Sequence, residues 1–225
     1  MNCCEPDYET VFSEKRAKQD LKRYRRKGAD GTTRHLIDAL KAAGVQHLTL
    51  LDIGGGIGVI DQELLAAGLE AAIHVEASEP FARVAEEEAV RRGTRSRMEF
   101  RRGDFVAMAD DVPAADVVTL DRVICCYAQM ESLVLASAAR ARRFYGVVIP
   151  RQRTLTKTMR LGINTMFRIT RNPFRFYLHP PAEIDRVLRR AGLRLHSIRD
   201  TLIWRVAVYE RPRERDARKQ TDTTR

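Results

Sequence analysis

Leu50-Leu51-Asp52-Ile53-Gly54-Gly55-Gly56-Ile57-Gly58 is the stretch on which the reading of the whole chain turns. A short apolar run, His47 to Ile53, ends in a cluster of glycines, and a helical pattern over Ile57 to Gly68 follows at once. The run has the character of a strand buried on both faces. Glycines at its end permit a tight turn and close approach of backbone to a ligand, and in a doubly wound sheet ligands bind at the carboxyl ends of the strands. The spacing does not suit a pyrophosphate. Counted from Gly54 or Gly56, the last glycine of G-x-G-x-x-G would fall on Val59 or Asp61, and no Lys with Ser/Thr completes a P-loop.

The same alternation repeats outward from this loop. Strand patterns cover residues 71–77, 97–104, 115–123 and 144–150, separated by helical patterns over 79–93 and 130–143. Toward the C-terminus, residues 182–192 read as a helix, and 193–198 and 202–210 as two strands that can pair as a hairpin. On the other side, Val11 to Lys27 reads as a polar, basic helix capped by Gly28, and Thr32 to Ala43 as a second helix, started by Thr32 or Thr33 and stopped by Gly44. Strands separated by helices predict βαβ units. The expected fold is an α/β, doubly wound, seven-stranded, mostly parallel sheet whose last strand is antiparallel. Residues 1–30 form an N-terminal helical extension, 31–210 the main domain with an insertion at 151–181, and 211–225 a disordered basic tail.

At 225 residues the chain suits one such domain, and 44% hydrophobic with 31% charged residues excludes a largely disordered chain. Without an apolar run long enough to span a bilayer, and without a basic then apolar leader, a cytoplasmic location is expected. The formal charge of +10 is unevenly distributed: +3 over residues 1–50, −5 over 51–150 and +12 over 151–225. The glycine-loop half is therefore acidic. Cys3-Cys4 and Cys125-Cys126 lack the spacing of a zinc knuckle or redox site, so free thiols are expected, although Cys3-Cys4 could take a soft metal.

Asp52-x-Gly54-x-Gly56-x-Gly58 matches D-x-G-x-G-x-G, and the chain from about residue 30 to 210 resembles the class I S-adenosylmethionine-dependent methyltransferases, of small-molecule type. Other motifs follow in register. The resemblance implies that Asp52, Gly54, Gly56 and Ala77 border the cofactor, that Glu76 at the end of the second strand takes the ribose hydroxyls, and that Asp104 and Phe105 address adenine. It places Asp121, at the end of the fourth strand, between cofactor and acceptor. The chemistry agrees: S-adenosylmethionine carries an ammonium, a sulfonium and a diol, which call for carboxylates and carbonyls, whereas a pyrophosphate calls for bare amides and cations. The competing reading of the acids is local, with Asp52 and Glu76 capping helices and Asp104 closing a turn.

Methyl transfer needs alignment and desolvation, and a base only when the acceptor carries a proton that must leave. Asp121, Tyr127 and His179 are the candidate catalytic groups, with His179 either a base or a polar residue fixing the entry to the last helix. Tyr24 is a candidate to close over the cofactor. Residues 151–175 carry seven basic residues and no acid, with Leu155, Met159, Ile163, Met166 and Phe167 at helical spacing and Gly162 as a weak point. Such a segment reads as a substrate lid, as a peripheral membrane contact on anionic lipid, as a nucleic-acid surface that tracks phosphates, or as a helix packing its apolar stripe on the sheet. The expected acceptor is small and anionic or amphipathic, of the kind used by magnesium-protoporphyrin O-methyltransferases. An RNA methyltransferase and a non-catalytic cofactor-binding protein are the alternatives. Nucleic acid is disfavoured because no N-P-P-Y or D-P-P-Y motif ends the fourth strand.

Overall fold

Strands covered on both faces must be apolar at successive positions, and these strands are. In the computed structural model, which describes residues 11–212, Leu50 and Leu51 of β1 (Thr49–Ile53) are both fully buried, as are Val117 and Val118 of β4 (Ala115–Asp121) and Val147 and Val148 of β5 (Ala141–Pro150). Alternate residues feed two cores. Leu51, Ile53, Val118, Leu120 and Val147 pack with α6 (Met130–Ala139) and α8 (Pro181–Arg190). Leu50, Val117, Phe144 and Val148 pack on the other face with α2 (Gly31–Ala43) and α3 (Val59–Ala66). α2 lies so close to β5 that a Cβ on Gly146 would come within 2.7 Å of Leu36.

With β2 (Ala71–Glu76), β3 (Met98–Arg102), β6 (Arg194–Asp200) and β7 (Trp204–Glu210), the sheet has the order β3-β2-β1-β4-β5-β7-β6. β7 runs antiparallel to both its neighbours and the remaining pairs are parallel. The strand order reverses between β1 and β4, which places the ligand crevice at their carboxyl ends. The doubly wound fold with an antiparallel strand near one edge is thus present as expected.

Several local boundaries differ from the sequence reading, each for a physical reason. α2 begins at Gly31 because Asp30 caps it, its carboxylate accepting from the Thr33 amide at 3.1 Å. The helix expected over 130–143 stops at Ala139, and Ala141 to Arg143 open β5 instead, since Ala141 pairs with Ala115. No Gly or Pro marks that change. α7 (Thr154–Ile169) runs unbroken through Gly162. Arg211, assigned above to the tail, is anchored by bonds to the carbonyls of Ala138, Ala141 and Ala191. Residues 213–225 and the Cys3-Cys4 pair lie outside the described residues.

α1 (Glu14–Lys27) packs on α4 (Glu79–Arg92) through Ala17, Leu21, Tyr24, Phe81 and Val84. Buried Glu88 of α4 binds Arg25 at 2.6 Å, Arg91 at 2.5 Å and Arg92 at 2.9 Å. Burial alone would raise its carboxyl, and the three guanidiniums outweigh this and hold it at about 2.

Candidate cofactor and active site

After β1 the chain turns through Gly54 and Gly56, with φ of 64° and 61°. L-residues with side chains rarely adopt that conformation. The amides of Gly54 and Gly55 donate to the Val75 carbonyl at 2.8 and 3.2 Å, which ties the loop to the end of β2. Gly55 is required by space: a Cβ there would lie 2.5 Å from the His74 ring.

Three acids expected at strand ends surround this loop in three different states. Glu76 accepts from the Gly56 amide and the Ser78 amide, both at 2.8 Å, so it both braces the loop and faces the cavity. Asp104 caps the short helix α5 (Phe105–Met108) through the Val106 amide at 3.0 Å and accepts from the Tyr127 hydroxyl at 3.0 Å. Asp52, by contrast, is only 1% exposed and accepts from the Thr119 hydroxyl at 2.6 Å beneath the loop. Ala77 and Phe105 also line the cavity.

At the end of β4 the backbone of Arg122 takes φ 63°. This turns its guanidinium back onto Asp121 at 2.9 Å, Asp30 at 2.9 Å and the Thr33 hydroxyl at 2.8 Å, while Thr33 donates to Asp121. Burial disfavours the charge of Asp30, and Arg122 outweighs it, leaving the carboxyl below its ordinary value. Arg122 is itself raised, burial being overcome by Asp121 and Asp30. Asp121 thus borders the cavity paired with a guanidinium that it shares with Asp30.

Beyond it, the Cys125 and Cys126 thiols stand 4.0 Å apart as free cysteines and point at the Arg122 carbonyl. Cys126 and burial push the Cys125 thiol well up, so it is a poor nucleophile. The segment after α7 is strapped to this turn. The Tyr177 amide donates to the Cys125 carbonyl at 2.7 Å, and His179 Nε2 lies 2.8 Å from the Tyr127 carbonyl. His179 thus sits behind Tyr127 and is not among the residues lining the cavity.

One cavity of about 510 Å³ joins these parts. Its floor is the glycine loop with Glu76, Asp104 and Asp121, and its far wall is Ile163, Phe167, Phe174, Phe176 and Trp204. Phe12, Arg16 and Tyr24 close one side. Tyr24 donates to Glu63 at 2.7 Å, and burial raises its phenol. The sequence reading missed Thr33 and, apart from Ile163 and Phe167, the aromatic wall. It also missed Asp61 and His74, whose side chains meet Asp52 under the loop.

The O-methyltransferase domain matches residues 8–164, about 70% of the 225-residue chain. The chain belongs to the O-methyltransferase domain family of S-adenosylmethionine-dependent methyltransferases. The matched stretch carries every acid of the site and ends within α7, so the strap, α8 and the last two strands follow it. A search of curated proteins finds no match.

Solved structures share the fold at low identity. Magnesium protoporphyrin IX methyltransferase from Synechocystis PCC 6803, with bound S-adenosylhomocysteine, is 18% identical over 91% of this chain and 100% of its own, at a TM-score of 0.67. An O-methyltransferase family protein from Burkholderia thailandensis is 18% identical over 92% of this chain and 63% of its own, at 0.69. Human N-acetylserotonin methyltransferase, in complex with S-adenosylmethionine, is 17% identical over 92% of this chain and 59% of its own, at 0.64. This chain therefore spans about three fifths of the length of the latter two.

Proposed function

We propose that the chain binds S-adenosylmethionine over the glycine loop and transfers its methyl group to an oxygen of a small, anionic, amphipathic acceptor. The donor set suits that cofactor: carboxylates, Glu76 and Asp104 among them, line the cavity beside a loop with no lysine. The sulfonium supplies the activated methyl carbon. Glu76 braces the loop and offers its remaining lone pairs to the ribose, while Asp104 and the Phe105 amide suit adenine. Asp52 acts from below, as support for the loop.

One observation carries the acceptor class: among the described residues, no histidine and no lysine lines the cavity. Asp121 is spoken for by Arg122 and Thr33, and Tyr127 donates to Asp104. Neither stands free to take a proton from an acceptor, which favours an acceptor oxygen that is already ionised, such as a carboxylate. Asp121 and Tyr127 then shape the border at which that oxygen is aligned with the methyl carbon, and the aromatic wall holds the apolar body. His179 keeps Tyr127 in place. The test is product chemistry with labelled methyl donor and a cell extract. A carboxyl methyl ester releases volatile label in mild base; label that stays fixed, in ethers, amines or RNA, rejects the ionised-oxygen acceptor.

We further propose that α7 brings the cavity to an anionic membrane surface. Ile163 and Phe167 face inward and line the cavity, whereas Leu161, Met166 and Ile169 are 65%, 54% and 77% exposed. Lys157, Arg160 and Arg168 flank them and pair with no acid among the described residues. A helix with this outer face suits insertion at a headgroup boundary. No helix among the described residues is long and apolar enough to cross a membrane. Flotation with vesicles containing phosphatidylglycerol should recover the protein, and neutral vesicles should not. Equal recovery on both, or on neither, contradicts this contact.

A further inference from the structure

Asp52 of β1, Asp61 of α3 and His74 of β2 meet directly beneath Gly55, and they are 1%, 0% and 0% exposed. His74 Nδ1 lies 2.8 Å from Asp61 Oδ2, and Asp52 Oδ1 accepts from Thr119. Asp52 Oδ2, Asp61 Oδ1 and His74 Nε2 have no partner, and one ligand atom from each residue lies within 4.8 Å of the others. The loop rests on this group, since a Cβ on Gly55 would be 2.5 Å from His74 Nδ1 and 2.9 Å from Asp52 Oδ2.

Two buried carboxylates this close would repel each other if both were charged, and no lysine or arginine among the described residues bonds to either. The remaining charged neighbours are Asp121, beyond Asp52, and Glu76, beyond His74, and both are acids. The Phe100 ring of β3 closes the side beyond His74, 5.3 Å away. A proton on Asp52 turns that carboxyl into a donor toward Asp61, and an imidazolium donates Nδ1–H to the same residue. One carboxylic acid, one carboxylate and one imidazolium then sum to zero charge.

We propose that Asp52, Asp61 and His74 hold their protons as one neutral cluster that positions the glycine loop, so that cofactor affinity falls when the cluster gives a proton up. Asp61 and His74 are positioning residues, acting on the cofactor through Gly55. The inference rests on the reading of the cavity as an S-adenosylmethionine site. The direction of titration agrees. Burial and the Asp61 charge push Asp52 well above the usual carboxyl range, while for His74 burial opposes the charge and Asp61 outweighs it. Both groups are raised in the folded chain, so their contribution is complete on the acid side and is lost as pH rises through their folded values.

The test is calorimetric titration of the full chain with S-adenosylhomocysteine from pH 6 to 9.5, beside Asp61→Asn. That variant keeps the shape, and its amide can donate to an ionised Asp52, so no shared proton is needed. Wild-type affinity should fall on the alkaline side by up to about tenfold per pH unit for one linked proton. Asp61→Asn should lose that slope, with titration of the ligand's own amine common to both. A flat wild-type profile, or the same slope in both proteins, overturns the proposal. Should the variant fail to fold, carboxyl and imidazole NMR of the wild type decides: a protonated Asp52 and an imidazolium His74 at neutral pH support the cluster, and an ionised Asp52 beside a neutral His74 overturns it. A stoichiometric divalent metal surviving dialysis would also overturn it, since the ion would take the protons' place. Absence of binding at every pH would remove the cofactor reading instead, and the NMR result would still judge the cluster.

Discussion

The two halves of the cavity are built on opposite plans. On the side of β1 to β4, carboxylates lie at successive strand ends, and each is held by backbone amides or side-chain partners: Glu76 by Gly56 and Ser78, Asp104 by Val106 and Tyr127, Asp121 by Arg122 and Thr33. On the side of α7 and the strap, the wall is aromatic and aliphatic, and the charges are cationic and turned outward. A polar site whose groups are all anchored can hold one ligand in one pose. An apolar wall selects by shape and area and tolerates variation in its ligand. Under the proposed function, the first half suits a fixed cationic cofactor and the second a variable acceptor.

The largest effect should come from striking the rigid half. Gly55→Val places two methyl groups against His74 and should abolish measurable cofactor binding, at a stability cost of about 1–3 kcal/mol; calorimetry and thermal melting check both. Glu76→Ala removes a charged acceptor and should weaken cofactor binding by about 1.5–3 kcal/mol, roughly 10- to 150-fold. Unchanged affinity would detach Glu76 from the ribose.

Away from the cavity, Glu88→Gln leaves three guanidiniums around a neutral amide and should cost about 3 kcal/mol in denaturant unfolding. Because the folded carboxyl is held at about 2, its contribution is present above the ordinary glutamate range and is lost as pH falls toward that value. Cofactor affinity should stay within about twofold, since additivity holds for distant sites.

Changes in the apolar half should separate acceptor from cofactor. Phe167→Ala should raise KM for the acceptor by about tenfold, the worth of 1–1.5 kcal/mol of lost aromatic contact, with cofactor affinity preserved. A parallel loss of both would erase the division between the halves. The smallest effect on the folded state is expected from Ile169→Glu, within about 0.5 kcal/mol because the side chain is exposed, while recovery on anionic vesicles should drop.

The sheet and the glycine loop were legible because their signals are local: apolar runs, glycine stops and acids at strand ends. The Arg122 network was not, since it joins Asp30 and Thr33 to residues about ninety positions away. His74 read as one polar residue in an apolar strand, and nothing in the spacing announces that Asp61 meets it across α3. The start of β5 was hidden because helical periodicity continues through Arg143 without a stop, and only pairing with Ala115 overrides it. The aromatic wall was legible in part: Phe167 fell within the amphipathic stripe, whereas Phe174, Phe176 and Trp204 depend on the strap and on the turn before β7. His179 shows the limit of residue type as a guide. Its backbone contact behind Tyr127 places it outside the cavity that a base would have to face.

The most direct test of the account is calorimetric titration of the full chain with S-adenosylhomocysteine. One site is expected, with a dissociation constant in the micromolar range, weakened by Glu76→Ala and untouched by Ile169→Glu. No heat and no thermal stabilisation at millimolar ligand would contradict it.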